Sequence, residues 1–272
     1  MIHIDHLKKS YDSFTLDCSL DIPKGIITGI IGMNGAGKST LFKSILDINP
    51  IDKGNIQIPD KQDIGVVLSE TGFSEFFTVS DIISILKCTY KRFDEDLFHS
   101  YCQRFDIPLD KKTRTFSTGM KAKLNIIIAL THHAKLLILD EPTAGLDVLT
   151  RDEILDILRD YMEQEDCTIL ISSHISSDLE SLCDDLYVID HGQIFMHEEM
   201  DTLLSQYGVL KVSKEDYENL DKDYLLEVMK EPFGYSCLTN VRQFYSENYP
   251  TIVIEQNHID TMIPILLKGE RL

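Results

Sequence analysis

The chain has 272 residues, of which 43% are hydrophobic, so we expect one large domain, or one with a small appendage, around a substantial core. Its formal net charge of −19 argues against nucleic acid as the main partner, because phosphate-tracking proteins normally carry a basic face. Its longest unbroken apolar run, residues 126–130, is far shorter than the roughly 20 residues that cross a bilayer, and no signal peptide opens the chain, so we expect a soluble protein.

The first thirty residues predict β-strands. Residues 14–20 alternate apolar and polar side chains, which is typical of a half-buried strand. After a turn, the apolar residues 26–31 predict a fully buried strand. We therefore expect an antiparallel β subdomain at the N-terminus. Tyr11 precedes the first of these patterns, and its position alone leaves open whether it is a core aromatic or a ring offered to a nucleotide base.

The stretch from Gly32 to Thr40 fits the pattern G-x-x-x-x-G-K-[ST] of a phosphate-binding loop. It follows the buried strand and precedes residues 41–46, whose apolar residues have helical spacing. Glycines allow consecutive backbone N–H groups to point at phosphate oxygens, and the helix N-terminus adds its positive dipole end. The lysine supplies charge for the β- and γ-phosphates, and the serine hydroxyl is placed for Mg²⁺. The pattern therefore predicts a nucleoside triphosphate site at Gly32, Asn34, Gly35, Ala36, Gly37, Lys38, Ser39 and Thr40, with Ser39 as a metal ligand.

The middle of the chain alternates predicted strands and helices. The predicted elements are strands at 55–58 and 64–68, helices at about 78–90 and 94–105, a long helix from about 115 to 132, and a strand at 136–139. Residues 71–115 are interpreted as a mostly helical insertion. Asp140 and Glu141 follow the last strand, at the carboxyl end where ligands bind in open α/β sheets. His132-His133 could suggest a metal site, but a solvated helix end is the better interpretation.

The second half continues the alternation and ends in a different pattern. We expect a helix at about 149–164, a strand at 168–172, a short helix near 178–183 and strands on both sides of His191-Gly192. Strands and helices that alternate in this way indicate an α/β fold with a mainly parallel sheet. The tail predicts a small α+β appendage, interpreted as a packing or dimerisation module. We therefore divide the chain into residues 1–204 and 205–272.

Five short motifs occur in order along the chain. They are residues 32–40, Phe116-Ser117-Thr118-Gly119-Met120, Leu139-Asp140-Glu141-Pro142-Thr143, Ala144-Gly145-Leu146-Asp147 and Ser172-Ser173-His174. Together they resemble the ATP-binding cassette (ABC) ATPases, and the resemblance covers about residues 1–200. The tail and the Ser-x-Gly-Met form of the second motif resemble ABC-2-type transporter ATPase subunits of Gram-positive bacteria. The resemblance implies a P-loop NTPase fold that binds ATP and Mg²⁺.

The resemblance implies a role for each matching residue of the nucleotide site. Asp140 would hold Mg²⁺, and Glu141 would orient and deprotonate the attacking water. His174 matches the residue that contacts the γ-phosphate and fixes the water. Tyr11 matches the family's adenine-stacking aromatic, which favours that role for it. Catalysis would consist mainly of positioning and charge neutralisation, as phosphoryl transfer requires.

The resemblance also implies partners. The ATPase would form a head-to-tail homo- or heterodimer with two ATP molecules at the interface. Ser117 and Gly119 of one subunit would cap the γ-phosphate held by the other, and Asp147 matches the loop that contacts the partner site. The dimer would drive a separate multi-span membrane permease, for export rather than import. It would therefore be cytoplasmic and peripheral on the inner face of the cell membrane, and no nucleic-acid partner is expected.

Two departures from the family pattern keep other hypotheses open. The second motif reads Phe-Ser-Thr-Gly-Met where the family usually has Leu-Ser-Gly-Gly-Gln. The family's Q-loop glutamine falls at about Ser69, which is too short to replace it, and Glu70 could substitute only after a local shift. These departures concern coupling to the permease rather than ATP binding. The alternatives are a soluble ABC-type ATPase that acts on translation or DNA, and a nucleotide-sensing partner subunit that does not hydrolyse ATP.

Overall fold

A computed structural model describes residues 2–68, 72–164, 166–255 and 258–271. Its contacts divide the chain into two compact units, one formed by Met1–His174 with Tyr187–Met196 and the other by Ile175–Leu186 with His197–Leu272. This division differs from a single boundary after residue 204, which stays a prediction. Within the described residues, no helix is both long enough and apolar enough to span a membrane.

The helices and strands follow the predicted alternation closely. The first part of the chain forms β1 (Ile2–Ser10), β2 (Thr15–Ile22), β3 (Ile27–Ile31), α1 (Lys38–Ile45), β4 (Lys53–Gln57), β5 (Ile64–Val67), α2 (Val79–Thr89), α3 (Glu95–Arg104), α4 (Thr118–Leu130), β6 (Leu136–Asp140), α5 (Val148–Met162), β7 (Thr168–Ser172), α6 (Ser176–Leu182), β8 (Asp185–Asp190) and β9 (Gln193–Glu199). The remainder forms α7 (Met200–Gln206), β10 (Gly208–Val212), α8 (Lys214–Asn219), β11 (Leu225–Glu231), β12 (Gly234–Thr239), α9 (Arg242–Asn248), β13 (Val253–Glu255), α10 (Ile259–Lys268) and β14 (Glu270–Arg271).

The first unit contains a six-stranded sheet with the order β5-β6-β7-β3-β8-β9. The pairs β5–β6, β6–β7 and β7–β3 are parallel, which confirms the predicted mainly parallel sheet. Every residue of β3, β6 and β7 is buried, because parallel strands at the centre of a sheet are covered on both faces. The strand order places β7 between β6, which ends at Asp140, and β3, which leads into the phosphate-binding loop.

One face of this sheet packs against the helix that follows the loop. Ile138 of β6 and Leu170 of β7 belong to the same buried cluster as Leu41 and Phe42 of α1. Burial of each such side chain stabilises the fold by about 1.5–3 kcal/mol. This packing fixes α1 on the sheet. Asp140 lies two residues beyond Ile138, so its side chain is on the same face of the strand.

Two further parts of the first unit match their predictions. A separate three-stranded antiparallel sheet has the order β2-β1-β4 and forms the expected N-terminal β subdomain. Helices α2 and α3 form within the predicted helical insertion. The first begins with a capping box, in which Thr78 and Asp81 each bond the other's backbone N–H.

The prediction of a solvated helix end after α4 is wrong for His132. This side chain is 1% exposed and stacks on Tyr90, with ring centroids 4.0 Å apart. Its Nε2 lies 3.1 Å from the carbonyl oxygen of Ile64, which can only accept, so Nε2 carries the proton. Burial is the main cause that lowers the pKa of His132. His133 is exposed, and its Nε2 lies 3.3 Å from Oδ2 of Asp94.

The second unit has its own sheet and core. Five strands in the order β13-β10-β12-β11-β14 form an antiparallel sheet, and helices occur between them along the chain, as expected for an α+β appendage. Leu210, Cys237 and Tyr245 are fully buried in its cluster. The Tyr245 hydroxyl donates to the carbonyl of Asp221 at 2.7 Å, so its polar atom keeps a partner inside the core.

Candidate functional site

The phosphate-binding loop lies between β3 and α1 and borders a cavity of about 610 Å³. The lining consists of residues 34–40 together with Tyr11, Phe14, Glu141, Ala144 and His174. Helix α1 begins at Lys38, so its first N–H groups and the positive end of its dipole lie at the loop. A cavity with this lining is suited to a polyanion such as a triphosphate.

The glycines of the loop are required because two of them have a positive φ and because a Cβ on Gly32 or Gly37 would lie too close to neighbouring atoms. Gly35 and Gly37 have φ of +84° and +116°, in the region that favours glycine. A Cβ on Gly37 would also lie 2.8 Å from the ring of Phe14. Gly32 has no such φ, but a Cβ there would lie 2.2 Å from the backbone oxygen of Ile189. The pattern thus corresponds to three separate steric requirements in this chain.

Lys38, Glu141 and His174 form a continuous chain of contacts at this cavity. Nζ of Lys38 donates to the carbonyl of Gly32 at 2.8 Å and lies 3.5 Å from Oε1 of Glu141. The other carboxylate oxygen, Oε2, accepts from the backbone N–H of His174 at 3.1 Å and lies 2.5 Å from its Nδ1. Because a carboxylate only accepts, Nδ1 carries a proton in this arrangement. The structure therefore brings together three of the predicted residues from distant parts of the sequence.

Asp140 provides a test of whether the site fits Mg²⁺. Its side chain is 1% exposed, and Oδ1 accepts from the Ser172 hydroxyl at 2.7 Å. Oδ2 is also buried and has no hydrogen-bond partner among the described residues. A buried carboxylate oxygen without a donor is costly unless a cation or an ordered water meets it. Oxygen ligands such as this carboxylate and the Ser39 hydroxyl, which lines the cavity, are those that Mg²⁺ prefers, so the residues present fit the ion.

Tyr11 and Phe14 form an aromatic edge of the cavity. The Tyr11 side chain is 44% exposed, and its ring centroid lies 6.3 Å from that of Phe14. Its hydroxyl accepts from the Asn49 side-chain amide at 3.1 Å, which holds the ring in place. This arrangement leaves apolar ring surface at the cavity. Phe14 was expected only as a strand residue, and the alternating pattern gave no sign of its contact with the loop.

The predicted trans-acting residues lie at helix starts elsewhere in the first unit. Ser117 is the N-cap of α4 and accepts from the N–H of Met120. Asp147 is the N-cap of α5, and its hydrogen bonds from the Thr150 N–H and hydroxyl lower its pKa. A Cβ on Gly119 would lie 3.2 Å from the Thr150 side chain, so the two helix starts are adjacent. Within the described part of the chain, none of the three predicted residues lines the cavity at Lys38. Ser69 and Glu70, the Q-loop candidates, lie outside the described residues.

Sequence reasoning did not assign a separate role to Ser172. It was noted only as the first residue of the Ser-Ser-His motif. The hydroxyl accepts from the Glu141 N–H at 3.0 Å in addition to its bond to Asp140. A serine that directly follows three apolar residues at the end of a strand is the sequence signal that could have indicated this contact.

Comparisons with known proteins identify the family. A family model described as "ABC transporter" matches residues 16–144, and one described as "AAA domain, putative AbiEii toxin, Type IV TA system" matches residues 112–177. The chain is 31% identical over 231 residues to the ABC transporter ATP-binding protein YtrB of Bacillus subtilis, covering 81% of this chain and 79% of that protein. It is 34% identical over 212 residues to the lantibiotic transport ATP-binding protein SrtF of Streptococcus pyogenes, covering 74% and 92%.

A solved structure described as "Structure of ATP binding subunit of ABC transporter" has the same fold. It matches with a TM-score of 0.68 and 24% sequence identity, over 76% of this chain and 92% of that one. The fold, the convergence of the motifs and the sequence relatives lead to one conclusion. This chain belongs to the ATP-binding proteins of the ABC transporter family, whose members are generally ATP hydrolases.

Proposed function

We propose that this chain is the ATP-binding and ATP-hydrolysing subunit of an ABC exporter, and that it energises a separate membrane permease. The observation that carries the proposal is the chain of contacts from Lys38 through Glu141 to His174 beside the phosphate-binding loop. A cation, a carboxylate and an imidazole are the groups that the binding of a terminal phosphate and the activation of a water require, and their contacts with one another support the proposal. Export is supported by the similarity to a protein named for lantibiotic transport and one named for linearmycin resistance.

Each residue has a defined role in this proposal. Lys38 and the N–H groups of residues 35–39 bind the phosphates, and Tyr11 offers its ring to the adenine. Glu141 orients the attacking water and accepts its proton, while His174 holds the Glu141 carboxylate and contacts the γ-phosphate. Ser39 and Asp140 would hold Mg²⁺, which neutralises charge on the phosphates when bound.

The site is completed by a second subunit in this proposal. Ser117 and Gly119 lie at the N-terminus of α4 and do not line the described cavity of their own chain. In a head-to-tail dimer they cap the γ-phosphate held by the partner, and Asp147 contacts the partner site. The ATPase dimer lies on the inner face of the cell membrane because it is bound to its permease.

The enzymatic part is tested by calorimetry with Mg-ATP and by phosphate release. We expect binding and hydrolysis by the wild type, and neither by Lys38→Ala, because the loop then lacks its point charge. Lys61→Ala is the matched control, since its side chain is 78% exposed and remote from the loop in sequence. A folded wild-type protein that gives no heat with Mg-ATP would overturn the proposal.

The transport part is tested by purification with a membrane partner. We expect the tagged chain, expressed in its native cells, to recover a multi-span protein from their detergent-solubilised membranes. Mass spectrometry identifies the recovered protein, and reconstituted vesicles then report ATP-dependent movement of substrate. Hydrolysis that is stimulated by ribosomes or DNA, and not by any membrane protein, would instead support the soluble alternative.

A further inference from the structure

Ser172 occupies a central position in the strand order of the site. It is the last residue of β7 and is 0% exposed. In the parallel register it lies opposite Asp140 of β6 on one side and Ile30 of β3 on the other. It therefore separates the strand that carries the acidic pair from the strand that leads into the phosphate-binding loop.

The hydrogen bonds of the Ser172 hydroxyl have a fixed direction. Oγ accepts from the N–H of Glu141 at 3.0 Å, and an N–H can only donate. Its single proton is directed to Oδ1 of Asp140 at 2.7 Å. One hydroxyl thus links the backbone of the proposed general base to the side chain of the proposed metal ligand.

This link determines which oxygen of Asp140 remains available. With Oδ1 bonded to Ser172, the carboxylate is held in one rotation, and Oδ2 is the buried oxygen without a hydrogen-bond partner among the described residues. We propose that Ser172 is a positioning residue for the divalent cation, which keeps Oδ2 of Asp140 oriented for the metal or a metal-bound water. The inference rests on the proposed function, because it assumes that the site binds Mg-ATP.

The hydrogen bonds of the Glu141 backbone argue against a purely structural role for the Ser172 hydroxyl. The Glu141 N–H also lies 3.2 Å from the carbonyl oxygen of Ser172. Loss of the hydroxyl therefore leaves this N–H with an acceptor. The group that loses a donor is the Asp140 carboxylate, so the effect should be seen in metal dependence rather than in folding. Partners that orient metal ligands typically change metal affinity by about 10–100-fold when they are removed.

The experiment measures how much Mg²⁺ improves nucleotide binding. Calorimetry with a non-hydrolysable ATP analogue, in Mg²⁺ and in EDTA, gives two dissociation constants whose ratio reports the cation's contribution. We expect this ratio to fall about 10–100-fold in Ser172→Ala, while the dissociation constant in EDTA stays within about twofold of the wild type. Ser172→Cys keeps the number of side-chain heavy atoms, although sulfur is larger than oxygen, and it has only a weak donor, so it should resemble Ser172→Ala.

Thr28→Val is the matched control. Thr28 is a fully buried residue of the neighbouring strand β3, and its hydroxyl has no hydrogen-bond partner among the described residues. Its variant should keep the wild-type ratio. A wild-type ratio in Ser172→Ala, or in Ser172→Cys, would overturn the inference while leaving the proposed function intact. A wild-type protein that binds no nucleotide in either buffer would overturn both.

Discussion

Replacement of Glu141 by glutamine separates two effects of this side chain. The variant keeps the shape of the residue and removes its negative charge. In the structure that charge lies 3.5 Å from Nζ of Lys38, the cation that binds phosphate in the proposed function. Under the proposed function, ATP competes with Glu141 for Lys38, and hydrolysis uses Glu141 as a base. We expect Glu141→Gln to bind ATP more tightly and to hydrolyse it far more slowly.

The distance sets the scale of the binding effect. At 3.5 Å and an effective dielectric constant of about 20, the gross attraction between the two charges is about 5 kcal/mol. Much of this is offset by desolvation of both groups, so the net competition is about 1–2 kcal/mol. That corresponds to about 5–30-fold tighter binding of ATP in the variant. Loss of a positioned general base is expected to slow hydrolysis by about 10²–10⁴-fold.

Calorimetry with ATP and single-turnover phosphate release measure the two effects separately. His174→Ala is the informative comparison, because it removes the contacts of the ring with Oε2 but leaves the charge pair between Glu141 and Lys38. It should lose hydrolysis without tightening ATP binding. Phosphate release at the wild-type rate in Glu141→Gln would refute the catalytic assignment. An unchanged dissociation constant for ATP would show that the ion pair does not compete with nucleotide.

Two further predictions use neighbouring residues as matched controls. Gly37→Ala should weaken ATP binding and lower the midpoint of thermal unfolding more than Gly35→Ala does. Both variants place alanine at a positive φ, at a cost of about 1–3 kcal/mol. Only the alanine at position 37 would also clash with the Phe14 ring. Equal effects of the two variants would contradict the clash. Burial lowers the pKa of His132 below 6.5, so the unfolded chain binds more protons and stability should fall as the pH drops through 6.5 towards the folded-state pKa. The midpoint of urea unfolding, measured between about pH 7.5 and 5.5, should decrease less in His132→Gln than in the wild type or in His133→Gln. An equal decrease in all three proteins would contradict the assignment of this pH dependence to His132.

The strands of the site could be predicted because their signal is local. Residues 136–139 are all apolar and are followed by two acids, Asp140 and Glu141. This pattern indicates a buried strand without any knowledge of its neighbours in the sheet. The glycines of the loop are similarly informative, since a positive φ or a close backbone approach admits few other residues. The order of the five motifs then identified the family.

The contacts between distant residues could not be predicted in the same way. His132 follows the last apolar residue of a helix and looks solvated in the sequence, but it is buried by stacking on Tyr90. Phe14 has the pattern of a strand residue, and its contact with the loop follows only from the tertiary arrangement. The role of Ser172 depends on the register of β6 and β7, which no single-strand pattern contains. The roles of these residues depend on strand pairing and on side-chain packing, which the periodicity of the sequence does not contain.

The backbone at Glu141 explains how two consecutive acids can serve one site. In an extended strand, neighbouring side chains point to opposite faces, yet Asp140 contacts Ser172 and Glu141 contacts Lys38 beside the loop. Glu141 has φ of +53°, a left-handed conformation that costs a residue with a side chain about 1–2 kcal/mol. Its N–H bonds to Ser172 and its carboxylate contacts with His174 hold it there. The end of β7 therefore stabilises a strained turn that breaks the strand alternation, and this turn lets Glu141 reach Lys38 while Asp140 bonds to Ser172.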